Sequence, residues 1–150
     1  MKKLSDTSSF TDKYLHLKSC SSTQDIIKGR SADWFLVQSD RQQAGRGQQG
    51  REWESPPGGL YYSVRFPARA GAVGDPLYLL GAANLWLTLL SDRYPGIAEG
   101  LALKWPNDLL HENRKVGGFI GEKADGSIFL GIGLNVNSDF TGRDREEFRL

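Results

Sequence analysis

The chain has 150 residues, of which 39% are hydrophobic and 25% are charged, a composition typical of one soluble globular domain. A net charge of +1 excludes a general affinity for nucleic acid, so any anion binding must be local. The single cysteine, Cys20, excludes an internal disulfide, and His16 and His111 are too far apart to form a recognisable zinc site.

The amino-terminal segment and the longest apolar region indicate where the protein resides. Residues 1–12 mix Lys, Ser, Thr and Asp without the apolar run of a signal peptide, so we expect a flexible leader over residues 1–13. Residues 77–90 are apolar but interrupted by a glycine and two polar residues, and they are too few for a membrane helix. These features favour a soluble, cytoplasmic protein without membrane contact.

Two short elements open the predicted fold. Alternating residues predict a strand over residues 14–17, and Ser22 or Thr23 can cap a short helix that runs to Gly29. Asp25 is favourably placed near the positive end of that helix. Taken alone, a hydroxyl-rich segment of this kind is more often a helix cap than a ligand site.

A glycine-rich loop, residues 42–63, dominates the first half of the chain. It contains five of the eighteen glycines, and residues 41–51 contain three arginines and no acid. Backbone amides and guanidinium groups in such a loop can enclose a phosphate or a carboxylate. The alternative is a solvated hairpin or omega loop with incidental arginines. Predicted strands over residues 34–38 and 60–66 enter and leave the loop.

The longest predicted element is a helix over residues 76–94. Pro76 suits its first turn, and Pro95 with Gly96 should end it. Its residues are apolar on most sides, so we expect a mostly buried helix packed against a sheet. Five residues are predicted to lie on one face of this helix: Leu77, Leu80, Asn84, Leu87 and Leu90.

The remaining residues predict antiparallel strands. A strand over residues 101–104 leads to a rigid corner at residues 105–108, and a hairpin and a further strand over residues 127–134 follow. Gly117 and Gly118 fall within this hairpin. From the residues alone, they indicate either a bend in the sheet or the close approach of a ligand or another backbone.

Four blocks of sequence, in this order, resemble the catalytic core of biotin protein ligases, a superfamily that also contains lipoate ligases. The blocks cover most of residues 14–137. One block alone would be weak evidence for the family, but four at compatible spacing are specific to it. They are residues 22–24 (STQ), residues 42–63 with G-R-G-x-x-G-R-x-W-x-S-P-x-G-G-L-Y, residues 104–108 (KWPND) with residues 115–118 (KVGG), and residues 131–137 (GIGLNVN).

The resemblance implies a fold and a reaction for residues 14–150. The fold is α/β (α+β), similar to class II aminoacyl-tRNA synthetases, with a mainly antiparallel sheet backed by helices. In the reaction, ATP with Mg²⁺ activates biotin to biotinyl-5'-adenylate. A lysine on the biotin carboxyl carrier domain of a carboxylase then attacks this acyl-adenylate.

The same resemblance implies roles for individual residues. Arg46 and Lys104 are the expected catalytic cations, because joining a carboxylate to a phosphate brings two anions together. Asn135 is expected to meet the phosphate or its metal. The expected biotin contacts are Ser22, Thr23, Gln24, Gln42, Arg46, Gly47, Gln48, Lys104, Gly117 and Gly118, which favours a ligand as the reason for the two glycines. The expected ATP contacts are Arg51, Trp53 and Asn135.

The chain departs from the family pattern at two places. Gln48 stands where the family commonly has a second arginine, so we expect weaker retention of biotin or its adenylate. The family's later helices, its C-terminal β-barrel domain and any helix-turn-helix segment are not found in the sequence. We therefore expect an uncovered face that favours a homodimer or a partner chain, and no repressor role.

Three functions compete at this level. The first is an active biotin ligase. The second is a non-catalytic remnant that binds biotin or a carrier, or one half of a two-chain ligase. The third is a lipoate or octanoyl ligase, although the S-P-P-G-G-L-Y and K-W-P-N-D blocks favour the biotin branch.

Overall fold

The computed structural model describes residues 12–68 and 75–138. The predicted leader up to residue 11, most of the linking turn expected over residues 68–75, and the C-terminal stretch after Ser138 lie outside these residues. Within them, no helix is both long and apolar enough to cross a membrane.

The described elements form one sheet with helices. In chain order they are β1 (Tyr14–Leu17), α1 (Thr23–Lys28), β2 (Phe35–Ser39), β3 (Leu60–Pro67), α2 (Asp75–Arg93), α3 (Pro95–Ala98), β4 (Leu101–Lys104), β5 (Asp108–His111), β6 (Arg114–Ala124) and β7 (Ser127–Leu134). The seven strands are arranged in the order β1-β2-β3-β7-β6-β5-β4, and every neighbouring pair is antiparallel except β1 and β2. The predicted fold class, a mainly antiparallel sheet backed by helices, is confirmed.

The sheet presents a different helix on each face. Gly121 pairs with Leu130 and Ile120 with Gly131, so each pair shares one face of the sheet. A side chain at Gly121 would meet Tyr78 of α2, whereas one at Gly131 would meet Gln24 of α1. Helices α1 and α2 therefore cover opposite faces.

Each face has its own hydrophobic core. On the α2 face, buried residues from the helix pack on those of the strands: Leu79, Ala83, Leu90, Leu109, Val116, Phe119, Leu130, Ile132 and Leu134. On the α1 face, Ile27 packs with Val37 and Phe129. The larger core fixes strands β5 to β7, and the smaller one fixes α1 against the sheet through Ile27, near the end of the helix.

The predicted burial of the long helix is wrong. Leu77, Leu85 and Leu89 of α2 are 51%, 58% and 48% exposed, and the buried side is formed by Leu79, Ala83 and Leu90. Because the helix is apolar on most sides, spacing alone could not indicate which side meets the sheet.

The elements next to this helix and to the glycine-rich loop also differ slightly from prediction. Pro95 does not simply end the helical region, because it begins the short helix α3 at a first-turn position. Strand β2 begins at Phe35, since Trp34 is exposed and stacks on Phe66 with ring centroids 5.5 Å apart.

The predicted hairpin turns are confirmed. Glu112 and Asn113 between β5 and β6 have φ angles of 49° and 64°, and Asp125 and Gly126 between β6 and β7 have φ angles of 49° and 69°. Two consecutive left-handed residues match the twist of the flanking strands and allow the shortest reversal. These turns bring β5, β6 and β7 side by side.

Candidate functional site

The glycine-rich loop folds back on itself at its base. The Gln42 N–H donates to the Ser55 carbonyl at 3.1 Å, and the Trp53 N–H donates to the Gly45 carbonyl at 2.9 Å. The Ala44 N–H also donates to the Ser21 carbonyl at 2.8 Å, just before α1. The base of the loop is therefore a hairpin that lies beside the start of that helix.

Side chains join this hairpin to the helix cap. The Gln42 Oε1 atom accepts from the Thr23 N–H at 2.8 Å and from the Thr23 hydroxyl at 3.1 Å. The Gln42 Nε2 group donates to Ser55 Oγ at 2.8 Å, and Ser22 caps α1 by accepting from the Gln24 N–H at 3.3 Å. The predicted capping role is confirmed for Ser22, and the hydrogen bonds of Gln42 place the loop beside this cap.

The tip of the loop, residues 46–51, is a separate turn. The Gly47 N–H donates to the Arg51 carbonyl at 2.7 Å, and the Arg51 N–H donates to the Gln48 carbonyl at 3.2 Å. The Arg46 guanidinium extends from this turn and forms an ion pair with Asp25 of α1, with Nη2 and Oδ1 2.7 Å apart.

A cavity of about 940 Å³ lies between the loop, the start of α1 and strands β4 to β7. Its volume falls within the range of small-molecule sites. Arg46 and Lys104, on separate elements, both line it. Twelve of the thirteen predicted site residues line it: Ser22, Thr23, Gln24, Gln42, Arg46, Gly47, Gln48, Arg51, Trp53, Lys104, Gly118 and Asn135.

Gly117 is the exception, and its placement corrects the prediction. A side chain at Gly117 would approach Leu134 Cδ2 to 2.5 Å and Leu109 Cβ to 3.2 Å, both in the core of the α2 face. Successive strand residues point to opposite faces, so Gly117 and Gly118 cannot both face the cavity. Packing of the core explains the glycine at position 117.

The indole of Trp53 lies on a pair of glycines that face each other across β6 and β7. Gly118 and Gly133 are register partners, and side chains there would approach the Trp53 ring to 2.9 Å and 2.6 Å. The Lys115 ammonium lies 5.3 Å from the centre of the ring on which it packs. The glycines let the loop lie directly against the sheet.

Three buried polar atoms of the cavity residues have no hydrogen-bond partner in the described part of the chain. They are Gln24 Oε1, Trp53 Nε1 and Asn135 Oδ1. The Gln24 amide is held in one orientation because its Nε2 group donates to the Phe129 carbonyl at 3.1 Å. Buried polar groups are normally paired, so these three atoms are exceptions among the described residues.

Lys115 and Asp108 are cavity residues whose roles the sequence analysis missed. The Lys115 ammonium lies 2.7 Å from Asp108 Oδ1, and Asp108 is the register partner of Lys104. Asn107 fixes the intervening corner by donating from Nδ2 to the Phe119 carbonyl at 2.7 Å. Both missed residues lie in the K-W-P-N-D and K-V-G-G blocks, which was the available signal.

Charged groups of both signs line the cavity. The cations are Arg46, Arg51, Lys104, Arg114 and Lys115, and the acids are Glu52, Glu54, Asp108 and Glu112. Lys115 is paired with Asp108, whereas Arg46, Arg51 and Lys104 can meet an anionic ligand. No group of three or more His, Cys, Asp or Glu side chains suited to a metal ion occurs within residues 12–68 and 75–138. The fold and the site together define an α/β protein with a cavity for an anionic ligand beneath a glycine- and arginine-rich loop.

Comparison with known proteins identifies the family. Residues 17–139 match the biotin/lipoate A/B protein ligase family. The biotin–[acetyl-CoA-carboxylase] ligase of Paracoccus denitrificans is 33% identical over 114 residues, covering 69% of this chain and 44% of that protein. The chain therefore belongs to the biotin/lipoate A/B protein ligase family.

Solved structures of biotin protein ligases have the same fold. The Aquifex aeolicus enzyme in complex with biotin and ATP has a TM-score of 0.76 and 30% identity, covering 92% of this chain and 58% of that one. The Leishmania major enzyme in complex with biotinyl-5-AMP has a TM-score of 0.73 and 28% identity, covering 90% and 62%. The chain thus spans less than two thirds of each of these relatives.

Proposed function

We propose that this chain is the catalytic core of a biotin protein ligase. It forms biotinyl-5'-adenylate from biotin and ATP, and it then transfers the biotinyl group to a lysine on the biotin carboxyl carrier domain of a carboxylase in the cytoplasm. The observation that carries the proposal is that Arg46, Lys104, Gln24, Trp53 and Asn135 all line one cavity.

The cations of the cavity suit the first step. The biotin carboxylate must attack the α-phosphate of ATP, and two negatively charged groups then come together as pyrophosphate leaves. Arg46 on the loop and Lys104 at the end of β4 both line the cavity, and together they offset this repulsion. Arg51, at the tip of the loop, is the proposed contact of the departing phosphates.

The polar side chains at the start of α1 favour biotin over lipoate. The ureido ring of biotin offers two N–H donors and a carbonyl acceptor, whereas the dithiolane of lipoate offers no N–H. Ser22, Thr23 and Gln24 line the cavity, and their side chains carry oxygens that can accept hydrogen bonds. A site with such acceptors discriminates against a ligand that leaves them unpaired. Gln24, beside the Thr23 and Gln42 network, is the proposed contact of the ureido ring.

We propose that Mg²⁺ enters the cavity with ATP. Magnesium prefers oxygen ligands and usually keeps several waters and phosphate oxygens, so it needs few ligands from the protein. The buried Asn135 Oδ1 atom is an oxygen of the required kind. Bound with ATP, the ion would supply positive charge for the phosphates, and Asn135 would hold that end of the nucleotide.

The loop suits the second step, because an acyl-adenylate is readily hydrolysed. The Trp53 indole packed on Gly118 and Gly133 places the loop directly over the sheet. In this position the loop excludes water from the activated carboxyl until a carrier lysine arrives. The lysine amine then attacks the acyl carbon, and AMP leaves.

Pyrophosphate release tests the function. The purified chain is incubated with ATP, Mg²⁺ and either biotin or lipoate. Release with biotin supports the proposal, release with lipoate alone assigns the chain to the lipoate branch, and no release with either indicates a binding remnant or one half of a two-chain enzyme.

A matched pair of lysine variants links activity to the cavity. Lys104→Gln should lower pyrophosphate release at least about a hundredfold, as expected for loss of a charge that stabilises the transition state. Lys123→Gln, at an exposed position on β6, should retain activity. Equal activity in the two variants would contradict a catalytic role for Lys104.

A further inference from the structure

One acidic residue outside the cavity contacts a cation that lines it. Arg46 lines the cavity, and its Nη2 atom lies 2.7 Å from Asp25 Oδ1. Asp25 is not among the cavity-lining residues. Any effect of Asp25 on a ligand must therefore act through the Arg46 guanidinium.

Asp25 occupies a firmly held position. It lies in the first turn of α1, which is capped by Ser22 and packed into the sheet through the fully buried Ile27. The tip of the glycine-rich loop is closed mainly on itself, because the Gly47 N–H donates to the Arg51 carbonyl and the Arg51 N–H donates to the Gln48 carbonyl. The ion pair therefore joins this small exposed turn to a fixed helix.

We propose that Asp25 is a positioning residue that holds Arg46 at the cavity before an anionic substrate binds. A guanidinium group has five N–H donors in a planar fork, so the bond to Asp25 leaves donors for a phosphate or carboxylate oxygen. The identity of that anion, ATP or the adenylate, rests on the proposed function.

The ion pair between Asp25 and Arg46 should affect substrate binding more than the chemical step. Without substrate, the Asp25 carboxylate is the ion-pair partner that restrains the Arg46 side chain among the described residues. Once the nucleotide is bound, its own negative charge holds the guanidinium. Loss of Asp25 should therefore weaken substrate binding and leave the chemical step nearly unchanged.

Hydrogen exchange tests the structural part without requiring activity. In the Asp25→Asn variant, the amides of Gly47 and Arg51 should exchange about two- to fivefold faster, the range expected for loss of a partly exposed ion pair. The Asn135 amide, which donates to the Val116 carbonyl in the sheet, should exchange as in the parent. Unchanged exchange at the loop tip would overturn the proposal.

The matched control is Glu122→Gln. Glu122 pairs with Lys28 of the same helix at 2.5 Å, and its side chain is similarly exposed. This variant removes one acidic partner of α1 but leaves Arg46 paired. It should not change exchange at the tip, and equally fast exchange in both variants would show a general loosening of α1 and overturn the proposal.

Kinetics tests the functional part. Asp25→Asn should raise the KM for ATP about two- to fivefold in the pyrophosphate assay, with kcat changed by less than about twofold. A fall in kcat at unchanged KM, or a lower KM, would overturn the proposal. If the parent chain releases no pyrophosphate, the proposed function fails, and the exchange experiment still decides whether Asp25 positions Arg46.

Discussion

Position 48 shows how one residue can set the strength of ligand retention. Gln48 lines the cavity beside Arg46 and Arg51, at the position where the family commonly has a second arginine. A carboxamide can hydrogen-bond to a ligand, but without the charge assistance of a guanidinium. A charge-assisted hydrogen bond contributes about 1.5–3 kcal/mol, whereas a neutral one contributes about 0.5–1.5 kcal/mol.

We expect Gln48→Arg to bind biotin about tenfold more tightly, as measured by calorimetry, because an added guanidinium can donate two charge-assisted hydrogen bonds. The matched control is Gln49→Arg, which adds the same charge at a neighbouring residue that does not line the cavity. If Gln48→Arg binds no more tightly than the parent, or if both variants gain equally, a specific contact at position 48 is excluded.

Most of the cavity residues could be predicted because their blocks resemble those of biotin protein ligases. From the residues alone, the glycine- and arginine-rich loop indicated an anion site, but the roles expected for K-W-P-N-D and K-V-G-G came from that resemblance. The face of the sheet to which Gly117 points could not be predicted, because it depends on the alternation of the strand relative to Gly118. Asp25 was noted only for its place in the helix, since its partner Arg46 is distant in the sequence.

At the scale of elements, the loop and the two central strands depend on each other through Trp53. The register that places Gly118 opposite Gly133 creates a flat area of backbone on which the indole lies. A side chain on either glycine would occupy the space of the ring. The position of the loop is therefore determined partly by the strands beneath it.

We expect Gly133→Ala to lower the free energy of unfolding by about 1–3 kcal/mol, because the added methyl would lie 2.6 Å from the Trp53 ring. In a Trp53→Ala background the same substitution should cost much less, and chemical denaturation of the four chains gives the coupling energy. Additive effects would contradict the contact.

Gly81→Ala is the control for glycine replacement as such. Nothing lies within 4 Å of a side chain at Gly81, which is in α2, so the variant should be as stable as the parent or more stable by about 0.5–1 kcal/mol. A loss comparable to that of Gly133→Ala would attribute the effect to the backbone rather than to Trp53.

Strand β3 makes stability depend on pH, because burial raises the pKa of Tyr62 well above its usual value. The folded state thus favours the protonated phenol. The unfolded Tyr62 side chain titrates at about pH 10. The contribution of Tyr62 to the free energy of unfolding is therefore complete below about pH 10, and it is lost as the pH rises through the pKa of the folded state.

We expect the free energy of unfolding to fall above about pH 10, and to fall less steeply in Tyr62→Phe, as measured by urea denaturation. Tyr94→Phe, at a position 55% exposed on the surface, should retain the slope of the parent. Equal slopes in Tyr62→Phe and the parent would show that Tyr62 does not contribute.

Element boundaries were predicted well where turn residues define them. Asp125 and Gly126 fix the ends of β6 and β7, and the predicted β7 is the observed one. In contrast, the side of α2 that packs against the sheet could not be predicted. Leucines surround this helix, and which of them are buried is decided by the shape of the sheet.

At the scale of the whole molecule, α2 presents an apolar stripe on the side away from the sheet. Leu77, Leu85 and Leu89 lie on it, each about half exposed, and Gly81 between them adds no side chain. Exposed apolar residues aligned on one helix favour association with another surface. The uncovered surface expected from the sequence was a face of the sheet, and this stripe on the helix is a different surface.

We expect the chain to associate with itself at high concentration through this stripe, and sedimentation velocity over a range of concentrations should show its mass rising. Replacing Leu85 and Leu89 with Glu should lower the association without lowering the free energy of unfolding, because neither side chain belongs to the buried core. The matched control replaces both residues with Ile, which retains the apolar area and should associate like the parent. A parent that remains monomeric at every concentration, or equal association in the Glu and Ile variants, would show that the stripe does not bind a second copy.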